Sequence, residues 1–320
     1  RTVAIAGTHG KTTTTGMLAK VLQDADASPT AVIGSIVKDF GSNYLPGTSD
    51  IFVVEACEYR DHLLELAPQV LVITNLEWDH TDYFPSLAAL QATFRKAIER
   101  VPEDGVIVTN PKDANIAPLL TETKVRIVDY TKEPSYVLRV SGEFNVMNAR
   151  AAAAAARIVI PNIPDTVIAQ SLAAFEGTWR RFEYKGKTAF GADVYDDYAH
   201  HPTAVKATLE ALRAKVKGRI IVAFHPHLYS RTRDLLVEFA TAFSAADKVL
   251  IAPIYAAREI DDGSISSEIL AEHIRSTGTD ATAFDSFEVI ENALGEAGEG
   301  DTIMTMGAGD IYKVADKIIV

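Results

Sequence analysis

Short strand-like runs alternate with stretches of helical spacing through most of the chain. In the first half the runs are Val3–Ala6, Ile51–Glu55, Val70–Thr74, Val106–Thr109 and Arg126–Val128. Helical pattern covers Lys11–Leu22, Leu87–Arg100 and Asn148–Ile160. Runs this short and this apolar fit strands buried on both faces, and their alternation with helices predicts a parallel, doubly wound sheet. A second alternation begins near Thr188, with strands at Asp193–Tyr195, Arg219–Phe224, Lys248–Ile251 and Thr302–Thr305. Its helices are expected over Pro202–Lys217, Arg231–Ser244 and Ser267–Ser276. The segment Ala174-Phe175-Glu176-Gly177-Thr178-Trp179 lies between the two sets. The pattern therefore predicts two α/β domains, residues 1–178 and 179–320. Alanine's high helix propensity makes Ala151–Ala156 a tightly packing helix.

Composition narrows the function classes. With 43 acidic against 31 basic residues the net charge is −12, which argues against a nucleic-acid partner. Cys57 is the single cysteine, so an internal disulfide and a cysteine-rich zinc site are excluded, and it is expected as a small buried residue. No apolar stretch approaches the ~20 residues that span a bilayer, so no membrane insertion is expected. Nor does a charged-then-apolar leader open the chain, and the expected location is cytoplasmic.

Directly after the first strand stands Gly7-Thr8-His9-Gly10-Lys11-Thr12-Thr13, a glycine-bearing turn running into a helix. Glycines let backbone N–H groups approach phosphate oxygens, a lysine there reaches the terminal phosphates, and the adjacent hydroxyl can ligate Mg²⁺. The spacing departs from the Walker pattern, because the early glycine sits at Gly7 where that pattern has it at Ile5. Such a cradle predicts that Lys11→Ala abolishes ATP-dependent activity and leaves the fold intact. Two further groups follow strand ends, where open α/β sheets place their sites. These are Glu55-Ala56-Cys57-Glu58 and Asn75-Leu76-Glu77-Trp78-Asp79-His80. Carboxylates and an imidazole beside polyphosphate suggest Mg²⁺ ligation, although nitrogen is a less typical magnesium ligand than oxygen.

Gly7-Thr8-His9-Gly10-Lys11-Thr12-Thr13-Thr14, Glu55-Ala56-Cys57-Glu58-Tyr59-Arg60 and Thr74-Asn75-Leu76-Glu77-Trp78-Asp79-His80 together resemble the Mur ligase family, ATP-dependent amide-bond-forming enzymes of peptidoglycan precursor synthesis. In the second half Trp179-Arg180-Arg181-Phe182-Glu183 and Asp196-Asp197-Tyr198-Ala199-His200-His201-Pro202-Thr203 resemble the branch that joins L-alanine to UDP-N-acetylmuramate. The segments His227-Leu228-Tyr229-Ser230-Arg231-Thr232-Arg233-Asp234 and Gly307-Ala308-Gly309-Asp310-Ile311 point the same way.

The resemblance implies ATP and Mg²⁺ as cofactors. It implies that Lys11 and the loop of Thr8, His9, Gly10, Thr12 and Thr13 hold the ATP phosphates. Thr12, Glu55 and His80 are implied as the Mg²⁺ ligands, and Asn145 and Asn148 as contacts to adenine. An amide suits adenine because it offers a donor and an acceptor, while helix capping is the other reading of Asn145. Arg181 is implied at the γ-phosphate, and Tyr198, His200, His201 and Arg231 at the amino acid and the transferring phosphoryl group. Alone, Arg231 and Arg233 would read as solvated cations at an odd place, a helix start, which a bound anion would explain. Because Lys11 and Arg231 belong to different domains, domain closure is expected. Relatives carry a further N-terminal domain that grips the UDP sugar, expected here in cis or in trans. Phe144 and His225 depart from the pattern, which more often has histidine and glutamine at these places. A murein-peptide-recycling ligase and a non-catalytic nucleotide-binding interaction module are the alternative readings.

Overall fold

The structure is a computed structural model that describes residues 1–320. The chain divides into two compact units, Arg1–Trp179 and Arg180–Val320.

The first unit runs β1 (Thr2–Ala6), α1 (Lys11–Asp24), β2 (Thr30–Val37), β3 (Ser42–Leu45), β4 (Phe52–Glu55), β5 (Val70–Ile73), α2 (Leu87–Glu99), β6 (Val106–Thr109), β7 (Arg126–Asp129), α3 (Glu143–Val159) and α4 (Asp165–Ala174). Its seven strands order as β3-β2-β4-β1-β5-β6-β7. All neighbours are parallel except β2 and β3, which form an antiparallel hairpin at one edge. Strand β1 is central, with β4 and β5 on its two sides, in register Ile5 to Glu55 and Ala6 to Ile73. The loops leaving β1, β4 and β5 therefore emerge together at the carboxyl edge, where chain order reverses across the sheet.

Both faces are covered, so these strands are apolar apart from Thr2 at the start of β1 and Glu55 at the carboxyl end of β4. One face buries Val3, Ile5 and Val53 against α1, α3 and α4. The other buries Ala4, Leu71 and Ile73 with Phe94 and Ile98 of α2. Ala151–Ala156 are all buried, and their small side chains let α3 lie close beside α1. Helix α3 begins at Glu143, five residues before the expected start, so Asn145 lies within its first turn. The capping reading of Asn145 is thereby corrected: its Nδ2 donates back to Ser141 O at 2.7 Å and accepts no helix N–H. Cys57 is exposed, contrary to expectation, because it sits in the loop past β4 and not in the strand.

The second unit runs β8 (Glu183–Lys187), β9 (Asp193–Asp197), α5 (Pro202–Arg213), β10 (Ile220–Phe224), α6 (Tyr229–Asp234), α7 (Leu236–Ala242), β11 (Lys248–Ile251), α8 (Ser267–Ser276), β12 (Asp280–Ala283), α9 (Phe287–Leu294), β13 (Thr302–Met306) and α10 (Tyr312–Ile318). Its sheet orders as β12-β11-β10-β13-β9-β8, parallel except for the β8–β9 pair. The single helix expected over Arg231–Ser244 is two, α6 and α7, because the backbone leaves helical geometry at Leu235 (φ −113°, ψ 24°). Arg180 ties the carboxyl edge of this sheet together. Its Nε donates to Asp196 at 2.7 Å, and Nη1 and Nη2 donate to the carbonyls of Gly309 and Gly307 at 2.8 and 2.7 Å. Its guanidinium also lies 4.7 Å from the Tyr312 ring centroid. No helix is long and apolar enough to cross a membrane.

Candidate active site

In the first unit the loop after β1 enters α1 through Gly10, whose φ of 82° is left-handed. A Cβ there would stand 2.1 Å from Asn148 Oδ1, so glycine is required for α3 to approach the loop this closely. Gly7, at φ 126°, is constrained in the same way by Thr74 Oγ1, 2.2 Å from where a Cβ would be. The loop's amides divide into two groups. Thr8 N donates to Asn75 O at 3.1 Å and His9 N donates to Asn75 Oδ1 at 2.8 Å, which pins the loop to the segment after β5. The Thr8 hydroxyl continues this clamp by donating to Glu77 O and accepting from Glu77 N. His9 Nε2 lies 3.2 Å from Glu77 Oε2. Helix α1 starts at Lys11, so its first-turn amides, those of Lys11, Thr12 and Thr13 among them, lack acceptors one turn back and make an anion-binding end.

Lys11 Nζ donates to Gly7 O at 2.6 Å, Thr8 O at 3.2 Å and Glu58 Oε1 at 3.0 Å. Burial works against the ammonium, but Glu58 and Glu55 offset it and hold the lysine above its usual range. The Thr12 hydroxyl donates to Glu55 Oε1 at 3.0 Å, and Gly34 N donates to Glu55 Oε2 at 2.6 Å. Glu55 is thus held by one donor from α1 and one from the neighbouring strand. His80 follows β5 in the left-handed region (φ 52°), with its Nε2 3.4 Å from Glu58 Oε1. Asn145 and Asn148 are both buried beside the loop, and Asn148 Nδ2 donates to Asn145 Oδ1 at 3.2 Å. The structure therefore brings Thr8, His9, Gly10, Lys11, Thr12, Thr13, Glu55, His80, Asn145 and Asn148 to one edge. Glu58, only 1% exposed and linking Lys11 to His80, is the member that sequence reasoning left unassigned. Its signal was present, as the second carboxylate of the Glu55–Glu58 segment.

Gly34→Ala tests how Glu55 is held. A Cβ there would lie 2.4 Å from Glu55 Oε2, while the backbone at Gly34 is not left-handed and accepts alanine. The expected outcome is an unchanged fold and divalent-cation affinity reduced about tenfold or more, read by Mn²⁺ titration in the presence of ADP. Equal affinity in the two proteins would show that Glu55 needs no such support.

In the second unit Arg181, Tyr198, His200 and Arg231 form a connected cluster. The Arg181 guanidinium sits 4.8 Å from the Tyr198 ring centroid, and Tyr198 meets His200 edge-on at 5.4 Å. The His200 ring lies 5.8 Å from that of His227, whose Nδ1 is 2.9 Å from Arg231 Nη1. Arg231 also donates to His227 O at 3.0 Å. It is 1% exposed, so the reading of Arg231 as a solvated surface cation is corrected. Arg233 is partly exposed and pairs with Asp234 at 2.9 Å, as a surface arginine does. His201 caps α5, its Nδ1 accepting from Thr203 N at 3.3 Å. His227, which joins His200 to Arg231, is a further member of this cluster, signalled in the sequence only by its place four residues before Arg231.

His225 directly follows β10 and is buried, with Nδ1 unpartnered and the ring packed between Tyr255 and Phe287. Burial pushes its pKa from 6.5 down to about 4. Between those values the unfolded chain takes up a proton that the folded chain refuses, so stability falls on acidification through this window. Asp197, which burial raises from 3.8 to about 6, acts with the opposite sign, favouring the fold as pH falls through that range. The difference between wild type and His225→Gln isolates the histidine. The variant is expected to gain up to about 3 kcal/mol relative to wild type between pH 6.5 and 4 in urea melts. Parallel profiles would mean that His225 is protonated in place.

Comparison with known proteins identifies the family of both units. Residues 5–139 match the Mur ligase middle domain, and residues 180–309 match the family described as Mur ligase, glutamate ligase domain. A UDP-N-acetylmuramate–L-alanine ligase of Clostridium botulinum is 38% identical over 99% of this chain and 75% of its own length. One from Desulfitobacterium hafniense is 39% identical over 100% of this chain and 77% of its own. The chain thus spans about three-quarters of these relatives. Among solved structures, UDP-N-acetylmuramate-alanine ligase MurC of Thermotoga maritima superposes with a TM-score of 0.76 at 26% identity, covering 99% of this chain and 74% of that one. A murein peptide ligase from Psychrobacter arcticus shares the fold, with a TM-score of 0.71 at 24% identity over 99% of this chain and 76% of its own. On the strength of the whole-chain identity and both domain matches, the chain belongs to the Mur ligase family.

Proposed function

We propose that the chain performs ATP-dependent amide-bond formation between UDP-N-acetylmuramate and L-alanine, with residues 1–178 as the ATP-binding domain and 179–320 as the amino-acid domain. The observation that carries this reading is the convergence of Lys11, Thr12, Glu55 and His80 at the carboxyl edge of the central strands. Whole-chain identity to relatives named for this activity supports the substrate assignment.

The donor set suits a divalent cation. Thr12 and Glu55 offer hard oxygens side by side, and His80 keeps a buried Nδ1 without a partner. Bound there by Thr12, Glu55 and His80, Mg²⁺ would supply charge neutralisation at the phosphates. The muramate carboxylate attacks the γ-phosphorus, forming an acyl phosphate and releasing ADP. The amine of L-alanine then attacks the acyl carbon, and phosphate leaves from the tetrahedral intermediate. Lys11, the first-turn amides of α1 and Arg181 hold the phosphates and balance their charge, while Asn145 and Asn148 take adenine. Tyr198, His200, His201 and Arg231 position the amino acid and the transferring group. Positioning and electrostatics of this kind supply most of the catalysis in phosphoryl transfer.

The experiment is phosphate release from Mg·ATP with UDP-N-acetylmuramate and each small amino acid. It is run with the chain alone and with the UDP-sugar-binding domain of a relative added. Alanine-dependent release supports the proposal. Release with a murein tripeptide but not alanine would favour the recycling ligase, and ATP binding without release under any condition would favour an interaction module.

A further inference from the structure

The carboxylate of Glu58 is buried in the loop past β4 with two cationic or titratable neighbours and one idle oxygen. Its Oε1 receives Lys11 Nζ at 3.0 Å and lies 3.4 Å from His80 Nε2, while Oε2 is buried with no partner. On the far side of the imidazole, His80 Nδ1 is likewise buried and unpartnered. The ring is held in this attitude. His80 N donates to Asp79 Oδ1 at 2.7 Å, and the Tyr59 ring lies 5.0 Å from the imidazole. Tyr59 OH in turn donates to Asp82 at 3.1 Å, and Tyr83 OH to Asp61 at 2.6 Å, which ties the loop after β4 to the loop after β5. Arg60, Asp61 and His80 all adopt left-handed φ, of 53°, 61° and 52°. Such backbone persists only where the surroundings dictate it.

From this arrangement we infer that Glu58 is a positioning residue: it fixes the proton of His80 on Nε2, so that Nδ1 is the nitrogen presented to the divalent cation, and it holds Lys11 until a polyphosphate takes its place. A carboxylate paired with an ammonium can only accept hydrogen bonds, so the His80 nitrogen that faces it must be the donor. The neutral ring then carries its lone pair on Nδ1, the atom left without a protein partner. Outer carboxylates of this kind set the tautomer and orientation of metal-binding histidines. Lys11 meanwhile has all three of its donors engaged, by Gly7 O, Thr8 O and Glu58. Its engagement with phosphate is therefore an exchange of one anion for another. Nothing in this role involves contact between Glu58 and the reacting atoms. The inference rests on the reading of Thr12, Glu55 and His80 as the cation site.

The test uses the whole 1–320 chain and two readouts besides activity. In the first, ¹⁵N-histidine NMR of the metal-free protein, with the His80 signals assigned by their loss in His80→Asn, is expected to show Nε2 protonated and Nδ1 bare. In the second, Glu58→Gln is titrated with Mn²⁺ in the presence of ADP and, separately, with ADP alone. Mn²⁺ affinity is expected to fall about 10- to 100-fold. Metal-free ADP affinity should rise, since the phosphates no longer compete with a carboxylate for Lys11. A merely structural role would lower both affinities together. Protonation of Nδ1 in the wild type, or an unchanged Mn²⁺ affinity in Glu58→Gln, overturns the inference. Failure of the wild type to bind Mn²⁺ beside ADP would instead overturn the cation-site reading, with the NMR result still deciding the tautomer.

Discussion

Replacing Lys11 with alanine is expected to silence ATP-dependent phosphate release and to weaken the first unit. The loss of turnover should be on the order of 10³-fold, the scale for removing a preorganised charge that meets developing charge in a transition state. The loss of stability comes from Glu58. The pair is buried, with side-chain exposures of 13% for Lys11 and 2% for Glu58, and removal of one partner strands the other carboxylate away from water. Breaking buried pairs this way costs about 3 kcal/mol or more. This revises the expectation from sequence that the fold would be untouched. Glu58 was not then visible as the lysine's partner. A Lys11→Met/Glu58→Gln double variant, with both charges gone, should recover most of the stability in urea melts and none of the turnover. Wild-type phosphate release by Lys11→Ala would remove the loop from the reaction. An unchanged melt would mean that His80 or water meets the Glu58 charge.

The second large effect is structural. Arg180→Met in the second unit is expected to cost about 3–5 kcal/mol, enough to unfold that unit under mild denaturant. Arg180 is 2% exposed, and its guanidinium serves three acceptors, Asp196 and the carbonyls of Gly307 and Gly309. Asp196 itself is fully buried. Its other oxygen accepts from the Thr305 hydroxyl at 2.6 Å. Without the guanidinium, burial is opposed only by the Thr305 hydrogen bond and pushes that carboxyl further towards the protonated form. Arg180→Lys should rescue little, because an ammonium cannot reach three acceptors in the planar fork geometry. Hydrogen exchange across β9, β10 and β13 is the measurement. Protection equal to wild type in Arg180→Met would show that packing, not this hub, holds the strand ends.

What was legible in the sequence follows from how each element is stabilised. Strands β5 and β10 are buried on both faces and written wholly in apolar residues, and β1, β6, β11 and β13 depart from that only at Thr2, Thr109, Lys248 and the buried Thr302 and Thr305. The hairpin β2–β3 was missed because it is an edge. Its strand β2 alternates buried Ala31 and Ile33 with exposed Val32 and is interrupted by Gly34-Ser35, and β3 is only Ser-Asn-Tyr-Leu. Strand β12, Asp-Ala-Thr-Ala, pairs on one side only and carries no apolar run to find. Helix α3 was entered late because its first turn, Glu143 to Met147, carries polar asparagines where an amphipathic stripe would be sought.

By itself the sequence determined the chemistry on offer. The Gly7–Thr13 loop, the carboxylates after β4, the imidazole after β5 and the arginine and histidine segments of the second half name their groups through local spacing and through likeness to a family. Which groups meet was decided only by the tertiary structure. Glu58 reaches Lys11 across 47 positions of sequence, and Arg180 reaches Gly309 across 129. Such pairs carry no periodic signal in the chain. They arise because parallel strands deliver their carboxyl ends to one edge, and buried charge there must find a partner wherever in the sequence that partner lies.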